Sequence, residues 1–187
     1  MLAMAGSVTM ALVAPPAPAA PAIPSDDGNS HTKCRPRTFF KINQLSPRNF
    51  FIPRTRFIDG PGGSMTVSVT REHEVLAFLE TENEWSKSIT TGDLVRNLRR
   101  MGLPHLEERH MVFTGHEYTQ KISHGMYGNM WYRVYGYRVG WSAWAVLGTC
   151  RHVKITTGIA NVPARVEGWR YWETKHPMFK GRQLSAK

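Results

Sequence analysis

Eight histidines are spread through the chain, and with two cysteines and a run of glutamates they are the residues that could carry chemistry. Histidine holds metals and moves protons near neutral pH. His105, His110 and His116 fall five and six residues apart, which matches neither one helix face nor a standard pair of zinc ligands. No His-Glu-x-x-His occurs. Glu72, Glu74, Glu80, Glu82 and Glu84 form the one acidic stretch. A glycosidase needs two carboxylates converging on a cleft, and a run of this kind suits a solvated face better. No Gly-x-Ser-x-Gly elbow supplies a serine nucleophile, and no phosphate-cradling loop opens a helix. These patterns predict a protein without catalysis, metal or cofactor.

Cys34 and Cys150 are an even pair, and in an oxidising compartment a disulfide is the default. The bridge closes a loop of about 116 residues, for which chain entropy gives about 4–5 kcal/mol. A reactive thiol is the alternative, but no Cys-x-x-Cys is present.

Export is itself an expectation of the N-terminus. Met1 to Val13 is apolar and uncharged, and Ala17-Pro18-Ala19 and Ala20-Pro21-Ala22 supply the small-x-small pattern of a signal peptidase site. The run is too short to span a bilayer, and the prolines behind it prevent a longer helix. A flexible Ala/Pro-rich tail is the competing reading, since no Lys or Arg precedes the run. The chain thus divides into a signal peptide over 1–22, an extended basic arm over 23–36 and a single β-rich domain over 37–187. A secreted, extracellular protein with no stable membrane insertion is expected.

Charge is lopsided, with 24 Lys and Arg against 14 Asp and Glu in 187 residues, a net +10. That excess draws acidic surfaces. Between residues 33 and 56 lie Lys33, Arg35, Arg37, Lys41, Arg48, Arg54 and Arg56, without one acid. Phe39, Phe40, Phe50, Phe51 and Ile52 are interleaved among them. Two readings fit: a strand with a solvated basic face, or a docking arm. Lys33, Arg35 and Arg37 alternate, so an extended chain sends all three to one side. Such a segment suits addition to a partner's sheet or binding in an acidic cleft.

The elements behind these residues read as mainly β and antiparallel, with one short helix. Gly60-Pro61-Gly62-Gly63 is a turn. Met65, Val67 and Val69 alternate with polar residues, the period of a half-buried strand. Residues 72–85 suit a helix or a strand equally. Over 91–101 a helix is expected: Thr90 and Asp93 stand at capping-box spacing, Leu94, Val95, Leu98 and Met101 line one face, and Gly102 and Pro104 stop it. Strands are expected over 112–122, 130–147, 150–158 and 164–172.

Aromatic residues crowd the C-terminal half: Tyr127, Trp131, Tyr132, Tyr135, Tyr137, Trp141 and Trp144, then Trp169, Tyr171 and Trp172. On an alternating strand Trp131, Tyr135, Tyr137, Val139 and Trp141 share one face, and Tyr132, Val134 and Trp144 the other. Aromatics on both faces imply a sheet buried on both sides or a partner surface. Basic plus aromatic also describes single-strand nucleic-acid binders, a reading that recedes for an exported chain. Lys33, Arg35, Arg37, Phe39, Phe40, Tyr127 and Trp131 are the candidate partner-binding residues.

Four segments carry a resemblance: Arg37-Thr38-Phe39-Phe40; Phe57-Ile58-Asp59-Gly60-Pro61-Gly62-Gly63 with the strand through Thr70; Ser123-His124-Gly125-Met126-Tyr127-Gly128-Asn129; and Gly168-Trp169-Arg170-Tyr171-Trp172. Together they are similar to a family of small secreted proteins of filamentous soil bacteria, among them the adaptor subunit of umbrella toxin particles. The resemblance spans residues 37–174. It departs at the Glu-rich 72–85 stretch, where Ser/Val/Thr-rich strands are expected. It implies a non-catalytic adaptor linking a trypsin-like lectin subunit to the repeat-bearing stalk of a large toxin that arrests competing bacteria. It also implies that the arm meets the trypsin-like cleft. A stand-alone antimicrobial or pore-forming effector and a secreted hydrolase inhibitor are the alternatives.

Overall fold

The computed structural model describes residues 34–80 and 89–184. Residues 1–33, read as a signal peptide and most of the arm, lie outside them, as do Glu82 and Glu84. Three long strands dominate: β1 (Arg37–Asp59), β7 (Tyr127–Val146) and β8 (His152–Thr174). They are antiparallel, and with β4 (Phe78–Glu80) they form a sheet ordered β1-β7-β8-β4. Two short pairs flank it, β2 (Gly63–Ser68) with β6 (Glu117–Ile122), and β3 (His73–Leu76) with β5 (Arg109–Val112). A two-residue pair, β9 (Met178–Phe179) with β10 (Arg182–Gln183), ends the described chain. The protein is mainly β, as the alternation implies.

The helix forms where its caps place it. α1 (Thr91–Arg100) is capped by Thr90, whose hydroxyl accepts the Asp93 N–H at 3.1 Å. Its buried face is Leu94, Val95 and Leu98, and Arg99 and Arg100 lie in the last turn, where the dipole favours cations. No helix among the described residues is long and apolar enough to cross a membrane. Residues 73–76 and 78–80, ambiguous in sequence, are two strands, because β3 and β4 find partners in β5 and β8.

The strand expected over 112–122 is two, since Gly115 turns at φ 93° and separates β5 from β6. The strands expected over 150–158 and 164–172 are one. Pro163, which reads as a break, pairs opposite Gly136, and a two-residue register shift beside it absorbs the irregularity. The passing 103–107 segment satisfies the local backbone: Glu107 N–H donates to the Pro163 carbonyl and Arg165 N–H to that of His105. Gly136 has to be glycine, because a β-carbon there would stand 2.3 Å from the Val162 carbonyl oxygen.

Three cores follow from side-chain parity on β7. Met130, Tyr132 and Val134 are buried with Ile52, Val69, Val75 and Val112, and with Met65, Val67 and Ile122. Further along, Val139, Trp141 and Ala143 are buried with Leu94, Val95, Leu98, Leu106 and Val162. The inward parity changes from even to odd. Each face of the ribbon is therefore core over one half of its length and more open over the other, although Asn129, Ser142 and Val146 are buried there too. Tyr132 and Trp141, on opposite faces, are thus both core, whereas Trp131, Tyr135 and Trp144 stand on the other halves and are not fully buried.

The disulfide is present. Cys34 and Cys150 lie with Cα atoms 5.1 Å apart, joining the segment ahead of β1 to the tight turn between β7 and β8.

Candidate functional site

The more open halves of the ribbon carry the expected binding residues, but in two places. Cross-strand partners share a face. On β1, Arg37, Phe39 and Lys41 stand opposite Val146, Trp144 and Ser142, the even-numbered face at the disulfide end. The Lys41 ammonium lies 4.7 Å from the Trp144 ring, and Phe39 meets His152 edge-on at 5.4 Å. Phe40 faces the other way, edge-on to buried Trp141 at 6.0 Å, and packs into the helix-side core. Arg35 is exposed just ahead of β1. Arg37–Phe40, the end of the segment read for docking, are thus the first residues of the sheet.

Trp131 is thirteen residues from Trp144 along β7, roughly 40 Å at about 3.3 Å per residue. It stands on the odd-numbered face. Its ring stacks on Phe51 at 4.1 Å, and its indole N–H donates to the Ile52 carbonyl at 3.0 Å. Tyr127 begins the same strand, half-buried opposite Thr174. The seven candidates therefore do not form one site. Phe39 and Trp131 belong to surfaces at opposite ends and on opposite faces of one ribbon.

Tertiary folding also assembles a cluster that the histidine spacing does not announce. His110 on β5 is bound on both ring nitrogens, by Glu107 through Nδ1 and by Glu167 through Nε2, each at 2.9 Å. The other Glu167 oxygen pairs with His116 Nε2 at 2.9 Å, and Arg165 binds Glu107. Glu167 and Arg165 come from β8, His116 from the turn ahead of β6, and Glu107 from the segment after α1. No sequence pattern joins such distant positions. Beside the cluster is a cavity of about 370 Å³ lined by His116, Tyr132, Glu167, Trp169 and Tyr171 among others. Burial, and then the Glu167 carboxylate, push the Tyr132 phenol far above its ordinary range. No group of three or more His, Cys, Asp or Glu side chains among the described residues has a geometry for a metal ion.

The cluster predicts a pH dependence. Burial weighs against the His110 imidazolium, yet its hydrogen bonds to Glu107 and Glu167 prevail and hold its pKa above 6.5. Burial likewise pushes Glu107 up, but His110 and Arg165 bring it below 4.5. A histidine raised on folding stabilises fully below its unfolded pKa, and that contribution is lost as pH climbs through the raised value. The lowered carboxylate contributes above 4.5 and loses its contribution as pH falls. Both contributions are complete between 4.5 and 6.5. Urea midpoints should peak in that window and decline above it, and His110→Gln should flatten the decline. An equally steep alkaline limb in the variant would assign the slope to other groups.

Compared with protein-family models, curated proteins and solved structures, the chain matches none.

Proposed function

We propose that this chain is a non-catalytic, secreted adaptor: a binding subunit that joins two proteins of a larger secreted complex. The observation that carries the reading is the separation of its two basic, aromatic surfaces. A sheet strand held on both edges does not bend freely. Partners on surfaces roughly 40 Å apart, on opposite faces of the ribbon, are held at a set distance without meeting. A disulfide across the root of β1 suits an oxidising compartment. The resemblance to umbrella toxin adaptors supplies the candidate partners, a trypsin-like lectin subunit and the repeat-bearing stalk of a toxin acting on competing bacteria. In this reading the arm and the Arg35–Arg37 end take the lectin-type subunit, and the Trp131 end takes the stalk.

Affinity purification of the tagged protein from culture supernatant, followed by mass spectrometry, tests this directly. Two secreted partners should co-purify, and the chain alone should neither permeabilise liposomes nor slow a purified protease. Deleting residues 23–33 together with Arg35→Glu and Arg37→Glu should leave a folded, secreted protein that loses one partner and keeps the other. Liposome leakage or protease inhibition by the isolated chain would favour a stand-alone effector or a hydrolase inhibitor. Full retention of both partners at physiological salt would move the first docking surface away from the arm.

A further inference from the structure

The sheet is electrically polarised in a way that the sequence does not display. Around Trp131, the register places Phe51, Arg56, Arg133, Arg170 and Trp172 on one face. The remaining register positions of that face, Asn49, Ile58, Tyr127, Asn129, Tyr135, Gly168 and Thr174, include no carboxylate. Asp59, Glu167 and Glu173 all fall on the opposite face, paired with Gly128 or Val134. Three guanidinium groups therefore share a surface without a counter-ion among the described residues.

Arg56 is the centre of it. Three extra residues in β1 between Phe51 and Arg56 form a bulge, with Arg54 at φ 62°. Thr55 Oγ1 pins it by donating to the Ile52 carbonyl at 2.8 Å, and the Trp131 indole N–H binds the same carbonyl. Bulges re-aim side chains at functional surfaces. This one places the Arg56 guanidinium 5.4 Å from the Trp131 ring, 5.6 Å from Trp172 and 4.8 Å from Phe179. One terminal nitrogen donates to the Met178 carbonyl at 2.6 Å, while Nε is buried without an acceptor. Arg133 likewise has a buried Nε with no acceptor. Arg170 lies over Trp172 at 5.2 Å.

We infer that this face binds an acidic segment of a protein partner, with Arg56 and Arg170 taking its carboxylates. With one terminal nitrogen given to Met178 and Nε buried, Arg56 offers a carboxylate its other terminal nitrogen, and guanidinium groups held against rings lose little freedom on binding one. Arg and Trp together make the residues that dominate protein interfaces. Single-stranded nucleic acid fits less well, because base stacking needs open ring faces. Trp131 is already flanked by Phe51 and Arg56, and Trp172 by Arg56 and Arg170. The inference rests on the adaptor reading only in making the occupant a protein.

The test uses the full chain and labelled poly-L-glutamate, read by fluorescence anisotropy at physiological salt. Arg56→Gln should weaken binding about tenfold, the scale of one charge-assisted contact at a hot spot. Arg56→Lys, which keeps the charge but not the planar group held against Trp131, Trp172 and Phe179, should fall between. The double variant Arg96→Gln/Arg100→Gln on exposed positions of α1 removes more charge and should change binding less than about twofold. If Arg56→Gln loses its near-ultraviolet circular dichroism, Arg170→Gln is read in its place. Equal loss in the α1 variant would overturn the inference, as would stronger binding of an oligothymidylate of matched charge or of phosphatidylglycerol vesicles. Failure here with both partners still co-purifying would sink the acidic-segment inference alone. Poly-L-glutamate binding through Arg56 without co-purifying partners would sink the adaptor reading alone.

Discussion

Trp141→Ala should destabilise the protein by about 3–5 kcal/mol, the range for a large aromatic removed from a core. Trp141 is 1 % exposed and is the largest fully buried side chain of the described residues. It packs among Val139, Ala143, Ala160 and Val162, with Leu94, Val95 and Leu98 of α1 in the same core. Gly158 lies directly across from it on β8, and a β-carbon there would come 2.6 Å from the indole. The indole thus occupies the space a side chain at 158 would need. With alanine at 141 the facing glycine has nothing to move into the gap, so the cavity stays open and the cost falls at the upper end. Trp141→Phe should cost much less. The indole N–H is buried without an acceptor, so phenylalanine removes volume and also an unpaired donor. Urea unfolding under non-reducing conditions measures both. A loss below about 1 kcal/mol for Trp141→Ala would mean that this core collapses around the deletion, contrary to its close packing.

Reduction of the Cys34–Cys150 bridge is the second large effect. The two residues are 116 apart in sequence, so their bridge restrains most of the unfolded chain. Chain entropy for a loop of this size gives about 4–5 kcal/mol, with measured values commonly lower. For a domain of about 150 residues, 4 kcal/mol corresponds to roughly 8–16 °C in Tm. The bridge also has a local task. It fastens Cys34, three residues ahead of β1, to the β7–β8 turn, where Cys150 has φ 64°. Without it the first pairs of β1, Arg37 with Val146 and Thr38 with Ala145, lose their tether and should fray. Thermal melts of the oxidised protein, the reduced protein and Cys34→Ser should show both altered forms melting lower by a similar amount. Hydrogen exchange should accelerate first at residues 37–42. A Tm difference under about 2 °C would show that the β1–β7 ladder needs no tether.

Arg56 and core Trp141 lie on the same ribbon face by parity, through Trp131, and yet one is on the proposed binding surface and the other in a core. That contrast separates what was legible in the sequence from what was not. Alternation, turn residues and capping residues act over a few neighbours, so β2's strand character, the turn at 60–63 and α1 over 91–100 could be read directly, and an even cysteine pair allowed only one intramolecular bridge. The change of inward parity along β7 could not. It depends on which half of each face is covered, by α1 and Leu106 in one place and by β2, β3, β5 and β6 in the other. The candidate binding residues were identifiable one by one as basic or aromatic. Their division between two ends of the ribbon needed the register, as did the carboxylate-free face around Arg56. His110, Glu107, Glu167 and His116 illustrate the same limit: their distances of 2.9 Å arise between separate elements. Local chemistry determines which element a residue joins. Only the packing of elements far apart in the chain decides what that residue faces.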